Sequence, residues 1–438
     1  MDWDMETENV TYSIASLQRM VANYGEGLEV ATVSELSGRN VIFVEDGNHG
    51  ENRPRQDEFA ATGIAFLRPP DLKDGRVDFQ NCGRINDAGF RRVRKGIGQR
   101  GDIILTHRAT VGRIAITGDD APEVFVTNPG TTVWRSTDAN VLDQRYLYCF
   151  MRSVAFMDQL WSQVGNNSTF DYVSLTQQRR LRVAFPPLPE QKAIASVLCA
   201  LDDKIELNRR MNETLEAMGQ SLFKSSFVDA TQPALPEGWR QVPLPRAIEV
   251  NPPRPLRKGA IAPYLDMANM PTRSARALEV IDREFGSGMR FKNADTLVAR
   301  ITPCLENGKT CFVDFLKDDQ IGWGSTEYIV LQPKQPLPPE FAYFLARTEE
   351  FRAFMISNMT GTSGRQRVPA ECLTNFKLAV PPAELAKKFG QFASAVFAQM
   401  KAHDDESRTL AALRDALLPK LLSGELRVPV ANLPEGTV

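Results

Sequence analysis

The stretch PPLPEQKAIASVLCALDDKIELNRRMNETLEAMGQSLFKSSF, residues 186–227, has a second copy 195 positions downstream: PPAELAKKFGQFASAVFAQMKAHDDESRTLAALRDALLPKLL, residues 381–422. Laid side by side without a gap, their apolar positions coincide. Ile194 falls on Phe389, Val197 on Phe392, Leu201 on Val396 and Ile205 on Met400; Leu215 falls on Leu410, Leu222 on Leu417 and Phe227 on Leu422. A repeat of this length makes the chain two copies of one unit, so fold and function are read per half.

Each copy opens on Pro-Pro, which closes an irregular segment, and continues for about 40 residues at helical period; Gly219 is the only glycine of the first copy. Positions 194, 198, 201, 205, 208, 212, 215, 219 and 222 step by four and three, and the second copy steps identically from 389 to 417. That spacing is the seam of a coiled coil. Its apolar members are Ile194, Leu198, Leu201, Ile205, Leu215 and Leu222, answered by Phe389, Val396, Met400, Leu410 and Leu417. Each helix should run roughly 60 Å at 1.5 Å per residue. The middle of the seam is polar: Asn208 and Asn212 in one copy, His403 and Ser407 in the other. Buried polar seam positions fix register and partner at some cost in stability, which makes His403 a register device rather than a ligand or base.

A globular segment precedes each helix. The organisation expected is an N-terminal extension (1–25), domain 1 (26–185), a helical region (186–232), domain 2 (233–380), a second helical region (381–427) and a tail (428–438). IAFLRPPDL, GDIILTH, VGRIAIT and EVFVTN in domain 1 read as short strands between Gly/Pro/Asn turns, as do ADTLVARI, GKTCFVDF and EYIVLQP in domain 2, with little amphipathic helix. The repeat persists here more weakly: Asp102 of GDIILTHR answers Asp295 of DTLVARIT, Gly112-Arg113 answers Gly308-Lys309, and the 195 offset resumes from Tyr146 on Phe341 to Val183 on Leu378. A shared framework with divergent loops is where ligand specificity belongs. The fold class expected is α+β: two domains of mixed, mostly β structure, each followed by a long helix, the helices pairing as an antiparallel coiled coil with pseudo-twofold symmetry.

Composition excludes more than it assigns. No run of 18 uncharged apolar residues exists, so no membrane span is expected. The acidic N-terminus MDWDMETENV is unlike a signal peptide, and six scattered cysteines without neighbouring histidines suit free thiols in the cytoplasm rather than a zinc set. Net charge is −2, but Arg84–Arg113 holds eight Lys/Arg against Asp87 and Asp102, a local basic stripe able to meet a polyanion. Gly96–Gly101 fits GxGxxG but leads into a strand, whereas a dinucleotide loop follows a strand and opens a helix. Asn251-Pro252-Pro253 is similar to an amino-methyltransferase motif, yet Arg254 stands where the base-stacking aromatic belongs. Phe285-Gly286-Ser287-Gly288 has no βαβ setting for S-adenosylmethionine. With three histidines, no P-loop, no HExxH and no GxSxG, the chain reads as a binding protein with no catalytic or metal residues of its own. A self-sufficient methyltransferase would need one of the discarded cofactor motifs; a coiled-coil scaffold would bind protein at its globular ends and show no site-specific DNA affinity.

PPLPEQKAIASVLCALDDKI, followed by a second globular segment from LPEGWR and a second helix ending LLSGEL, resembles the specificity subunits of type I restriction–modification systems over nearly the whole chain. GDIILTHRATVGRIAI, DTLVARITPCLENGKTCFV and GWGSTEYIVL look like target-recognition sequences of that family; PPAELAKK departs from the pattern in lacking Glu-Gln. The resemblance implies a cytoplasmic bacterial or archaeal protein whose two target recognition domains each read half of a bipartite site in double-stranded DNA. The halves should differ, because the loops differ. It further implies partners: two methyltransferase subunits, which carry S-adenosylmethionine and modify adenine, docked on the helices, and motor-nuclease subunits using ATP and Mg. No cofactor is expected in this chain. Base edges are read by Arg, Asn, Gln or Lys, and phosphates are met by basic residues beside turn glycines. On that chemistry the DNA contacts expected are Arg91, Arg92, Arg94, Lys95, His107 and Arg108, with Asn166, Asn167 and Ser168 of GNNSTF, in domain 1. In domain 2 they are Lys309 and Arg365, Gln366 and Arg367 of GTSGRQR, the loop at the position of GNNSTF.

Overall fold

The computed structural model describes residues 11–164, 171–362 and 364–429. It divides into two compact units: the first is the chain up to Asp203 together with the part from Leu410 on, the second is Lys204–Thr409. Each long helix therefore contributes one part to each unit.

In the first unit, strands Ile42–Asp46, Thr131–Ser136, Ile103–Thr106 and Ile114–Ile116 form one antiparallel sheet in that order. A second sheet orders Gly83–Ile85, Phe59–Leu67, Phe125–Thr127 and Ile97–Gly98, its middle pair parallel with Phe125 opposite Ala65. Glu29–Thr32 pairs with Arg182–Phe185 at the root of the first long helix. Strand Ile103–Thr106 is buried at every position because its sheet is covered on both faces. Ile104, with Val133 and Ala115, faces the second sheet at Leu67 and Phe125, while Ile103, Leu105 and Trp134 face helices through Tyr146, Phe150 and Phe156. The alternation is the two-residue period of a strand.

The second unit repeats this order. Ile248–Val250, Tyr328–Pro333, Thr296–Ala299 and Thr310–Phe312 make one sheet; Ile281–Glu284, Ile261–Leu265, Gly322–Gly324 and Met289–Phe291 make the other, again with a parallel middle pair. Leu297, Ala299 and Val330 face the second sheet, and Val298, Ile329 and Leu331 face helices. The two aligned aspartates are the buried carboxylates of equivalent strands. Asp102 is held by Arg135 through two 2.6 Å bonds, and Asp295 by Arg254 at 2.7 and 2.9 Å, so the same need is met by arginines from different places in each half.

The expectation of little helix in the domains is corrected. Gln144–Met151 and Val154–Ser162 in the first unit, and Glu340–Ala346 and Glu349–Ser357 in the second, are helices. Three of the four start on caps (Asp143, Ser153 and Thr348 each accept a first-turn N–H). Tyr146–Met151 and Glu340–Ala346 are buried on every side, so no polar face marks the helical period.

The long helices are Leu188–Phe223 and Ala383–Ser423, 36 and 41 residues. They run antiparallel within each unit. In the first, Asp202 meets Arg414 at 2.6 Å and Ile194 and Leu198 pack with Leu421 and Leu422. In the second, Asn208 donates to His403 O, Asn212 to Asp404, and Phe223 meets Phe389 edge to face. The polar centre is fully partnered: His403 bonds Asn212 at 2.8 Å through Nδ1 and Gln399 at 2.7 Å through Nε2. The seam assignments of Leu215 and Leu222 are corrected. The buried line runs 208, 212, 216, 219, 223 and 227, stepping by four after Asn212 rather than three. Leu222 consequently faces solvent, Leu215 is only half-buried, and Phe223 and Phe227 occupy the seam.

Residues Thr11–Tyr24 form a helix whose Leu17 and Met20 are buried in the first unit's core. Its end is tied to the end of the second long helix: Tyr24 Oη donates to Leu421 O at 3.1 Å, Asn23 donates to Ser423 O, and Arg427 lies 4.7 Å over the Tyr24 ring. All six cysteines are free thiols, and no described helix is long and apolar enough to cross a membrane.

Candidate nucleic-acid interface

Three loops far apart in sequence converge at one end of the helix-covered sheet in each unit, joined by the same backbone bonds. In the first unit His107 N donates to Gly130 O, Val173 N to His107 O and Ala109 N to Asp171 O, each at 2.9 Å. In the second, Arg300 N donates to Glu327 O, Val368 N to Arg300 O and Thr302 N to Gln366 O, at 2.8–3.0 Å. Antiparallel pairing of Thr131 with Thr106, and of Ala299 with Tyr328, brings the first two loops together. The third is drawn in where Tyr172 bridges Arg108 and where Arg367 bridges Ile301.

The side chains at these matched positions differ. Arg108 is exposed with its guanidinium 5.9 Å from the Tyr172 ring. Around it sit residues 94–96 and 46–49: Asn48 Oδ1 accepts from Arg94 N and Lys95 N, and Lys95 forms an ion pair with Asp46, which also meets His49 at 3.1 Å. Burial pushes the Asp46 carboxyl up, but the bonds from Lys95 and His49 outweigh it and hold the group below the ordinary range. Arg91 is exposed; Arg94 is exposed too but folds Nη1 back onto Arg91 O at 2.8 Å, and Arg92 is turned in to Glu58 at 2.6 Å and Arg53 O at 2.9 Å. One expected contact is corrected. His107 is fully buried against Tyr172, its pKa pushed down to about 4 by burial, and its ring reaches no surface from which to touch DNA. The packing of its strand end, closed over by Val173, encloses it. Asn166, Asn167 and Ser168 lie outside the described residues.

In the second unit Arg365 and Arg367 are exposed and Gln366 is half-buried. Lys309 is folded back, its Nζ donating to Met267 O and, at 3.3 Å, to Ala268 O. Two residues not anticipated complete the cluster. Glu327 Oε1 accepts from Arg367 Nε at 2.8 Å and Oε2 from Arg300 Nε at 3.4 Å. Arg300 had a signal in the sequence, since pairing GDIILTHR with DTLVARIT sets it on His107; Glu327 had none, because it matches a glycine.

Residues 49–217 match the family described as "Type I restriction modification DNA specificity domain". The MjaIX type I restriction enzyme specificity subunit of Methanocaldococcus jannaschii is 22% identical over 85% of this chain and 88% of its own length. The EcoEI specificity subunit of Escherichia coli is 28% identical over 53% of this chain and 41% of its own length. Among solved structures, the S subunit of a type I restriction–modification system from M. genitalium shares the fold, with a TM-score of 0.54 at 14% identity over 91% of this chain and 97% of that one.

Proposed function

We propose that this chain is a DNA specificity subunit of a type I restriction–modification system, each of its domains reading one half of an asymmetric bipartite site in double-stranded DNA. The observation that carries the reading is the pair of matched loop clusters: one scaffold built twice, with the same backbone bonds and unlike side chains at its open end. Arg91, Arg94 and Arg108 in one half, and Arg300, Arg365 and Arg367 in the other, supply the cations that DNA binding needs. The chain confers specificity rather than chemistry. The long helices set the distance between half-sites and dock two adenine-methyltransferase subunits. On the first helix Leu207, Met211, Met218 and Leu222 are exposed at spacings of four, seven and four, an apolar stripe about 100° round the helix from the seam and suited to a partner helix. S-adenosylmethionine would be held by those partners, and ATP and Mg by motor-nuclease subunits, in the cytoplasm of a bacterium or archaeon. Mapping adenine methylation across the genome of a host with and without this chain tests the reading. A two-part, asymmetric motif that disappears with the chain is expected; methylation independent of the chain, with its partner intact, would overturn it.

A further inference from the structure

In the second unit a carboxylate stands between two arginines at the open end of a cluster meant for a polyanion. Each Glu327 oxygen takes one guanidinium by its Nε, Arg367 at 2.8 Å and Arg300 at 3.4 Å, and the cluster is only part-buried: side-chain exposure is 19% for Glu327, 30% for Arg300 and 45% for Arg367. An ion pair needed to close the loops would be one explanation. The first unit argues against it, because there the equivalent loops close through the same three backbone bonds with His107, Gly130 and Tyr172 in place of the three charged residues.

Nor does the arrangement suit phosphate contacts. A phosphate needs positive charge nearby and little orientation, and a carboxylate within a few Å weakens that attraction inside the screening distance of about 8–10 Å. What a carboxylate on Nε does supply is direction. It fixes the plane of the guanidinium and leaves the terminal nitrogens for acceptors side by side. In the Arg367 guanidinium the only other bond among the described residues is a long one, Nη1 to Arg365 O at 3.4 Å, in an exposed position where a base acceptor can replace it. In the major groove the base edge with two adjacent acceptors is guanine, through O6 and N7.

We propose that Glu327 is a positioning residue for base reading, holding the Arg367 guanidinium, with Arg300 as its counter-brace, to recognise a guanine in the half-site of the second domain. Gly130 at the matched position leaves the first domain without this device, so its half-site is read by other means. The inference rests on the second domain reading DNA.

The test uses the full chain with its methyltransferase partner and measures binding and methylation on DNA libraries randomised over each half-site in turn. Wild type is expected to require a guanine in the second half-site. Arg367→Ala should reduce discrimination at that base alone, by about 10- to 100-fold. Glu327→Ala should reduce it at the same base, with Glu327→Gln intermediate because its carbonyl still accepts one N–H; preferences in the first half-site should not move in any variant. The idea is overturned if the second half-site contains no required guanine, if Glu327→Ala leaves the preference intact, or if it raises affinity for all sequences alike, as loss of a repelling charge beside phosphate would. If the alanine variant does not fold, Arg367→Lys decides: it keeps the charge and loses the fork, so guanine preference should fall while the salt dependence stays. Absence of any sequence preference in the wild-type second half-site would instead sink the broader reading of that domain.

Discussion

At the scale of single residues, His107 shows how a histidine beside a candidate nucleic-acid interface can serve the fold alone. Both its ring nitrogens are buried without a hydrogen-bond partner among the described residues, and burial holds its pKa near 4. The folded state therefore keeps it neutral, while the unfolded chain takes up a proton below about pH 6.5. Stability is lost as pH falls from 6.5 toward 4, by about 2 kcal/mol at pH 5. Urea unfolding at pH 7 and pH 5 checks this: His107→Phe, which strands no polar partner, should lose that part of the pH dependence. Arg365 and Arg91 are exposed and face outward. If they meet phosphates, alanine at either weakens all DNA sequences alike and lowers the slope of log affinity against log salt by about one. A change of preference at a single base would instead make that residue a reader.

At the scale of elements, the long helices show where period alone misleads. The seam repeat from Ile194 to Asn212 is kept, but one additional four-residue step turns the buried face from Leu222 to Phe223. Phe223 is 1% exposed and touches Phe227, Phe341, Phe344 and Phe389. Phe223→Ala should cost about 3–5 kcal/mol, and Leu222→Ala less than about 0.5 kcal/mol while weakening partner docking. Denaturant melts of the two variants, beside a pull-down of the methyltransferase, separate the roles. Gly219 belongs to the same contact. A Cβ there would stand 2.5 Å from the Phe344 ring, which accounts for the one glycine in an otherwise unbroken helix.

At the scale of the whole molecule, two copies of one scaffold with different loop ends predict separable halves. Exchanging residues 26–185 for the corresponding domain of a relative should change one half of the methylated motif and leave the other half intact, read by methylation mapping. Loss of both halves would mean that the domains do not read independently.

The chain announces its duplication, its two long helices and its strands, because repeats, heptads and alternating apolar residues are periodic along the sequence. Two of the short domain helices were hidden, since burial on all sides over Tyr146–Met151 and Glu340–Ala346 erases the period that would mark them. The Arg300–Glu327–Arg367 cluster was hidden for a different reason. Its members stand 27 and 40 residues apart and share no motif. Strand pairing brings two of them together and the third loop closes over them, so their meeting is a property of sheet order and of folding, not of any local stretch of the chain.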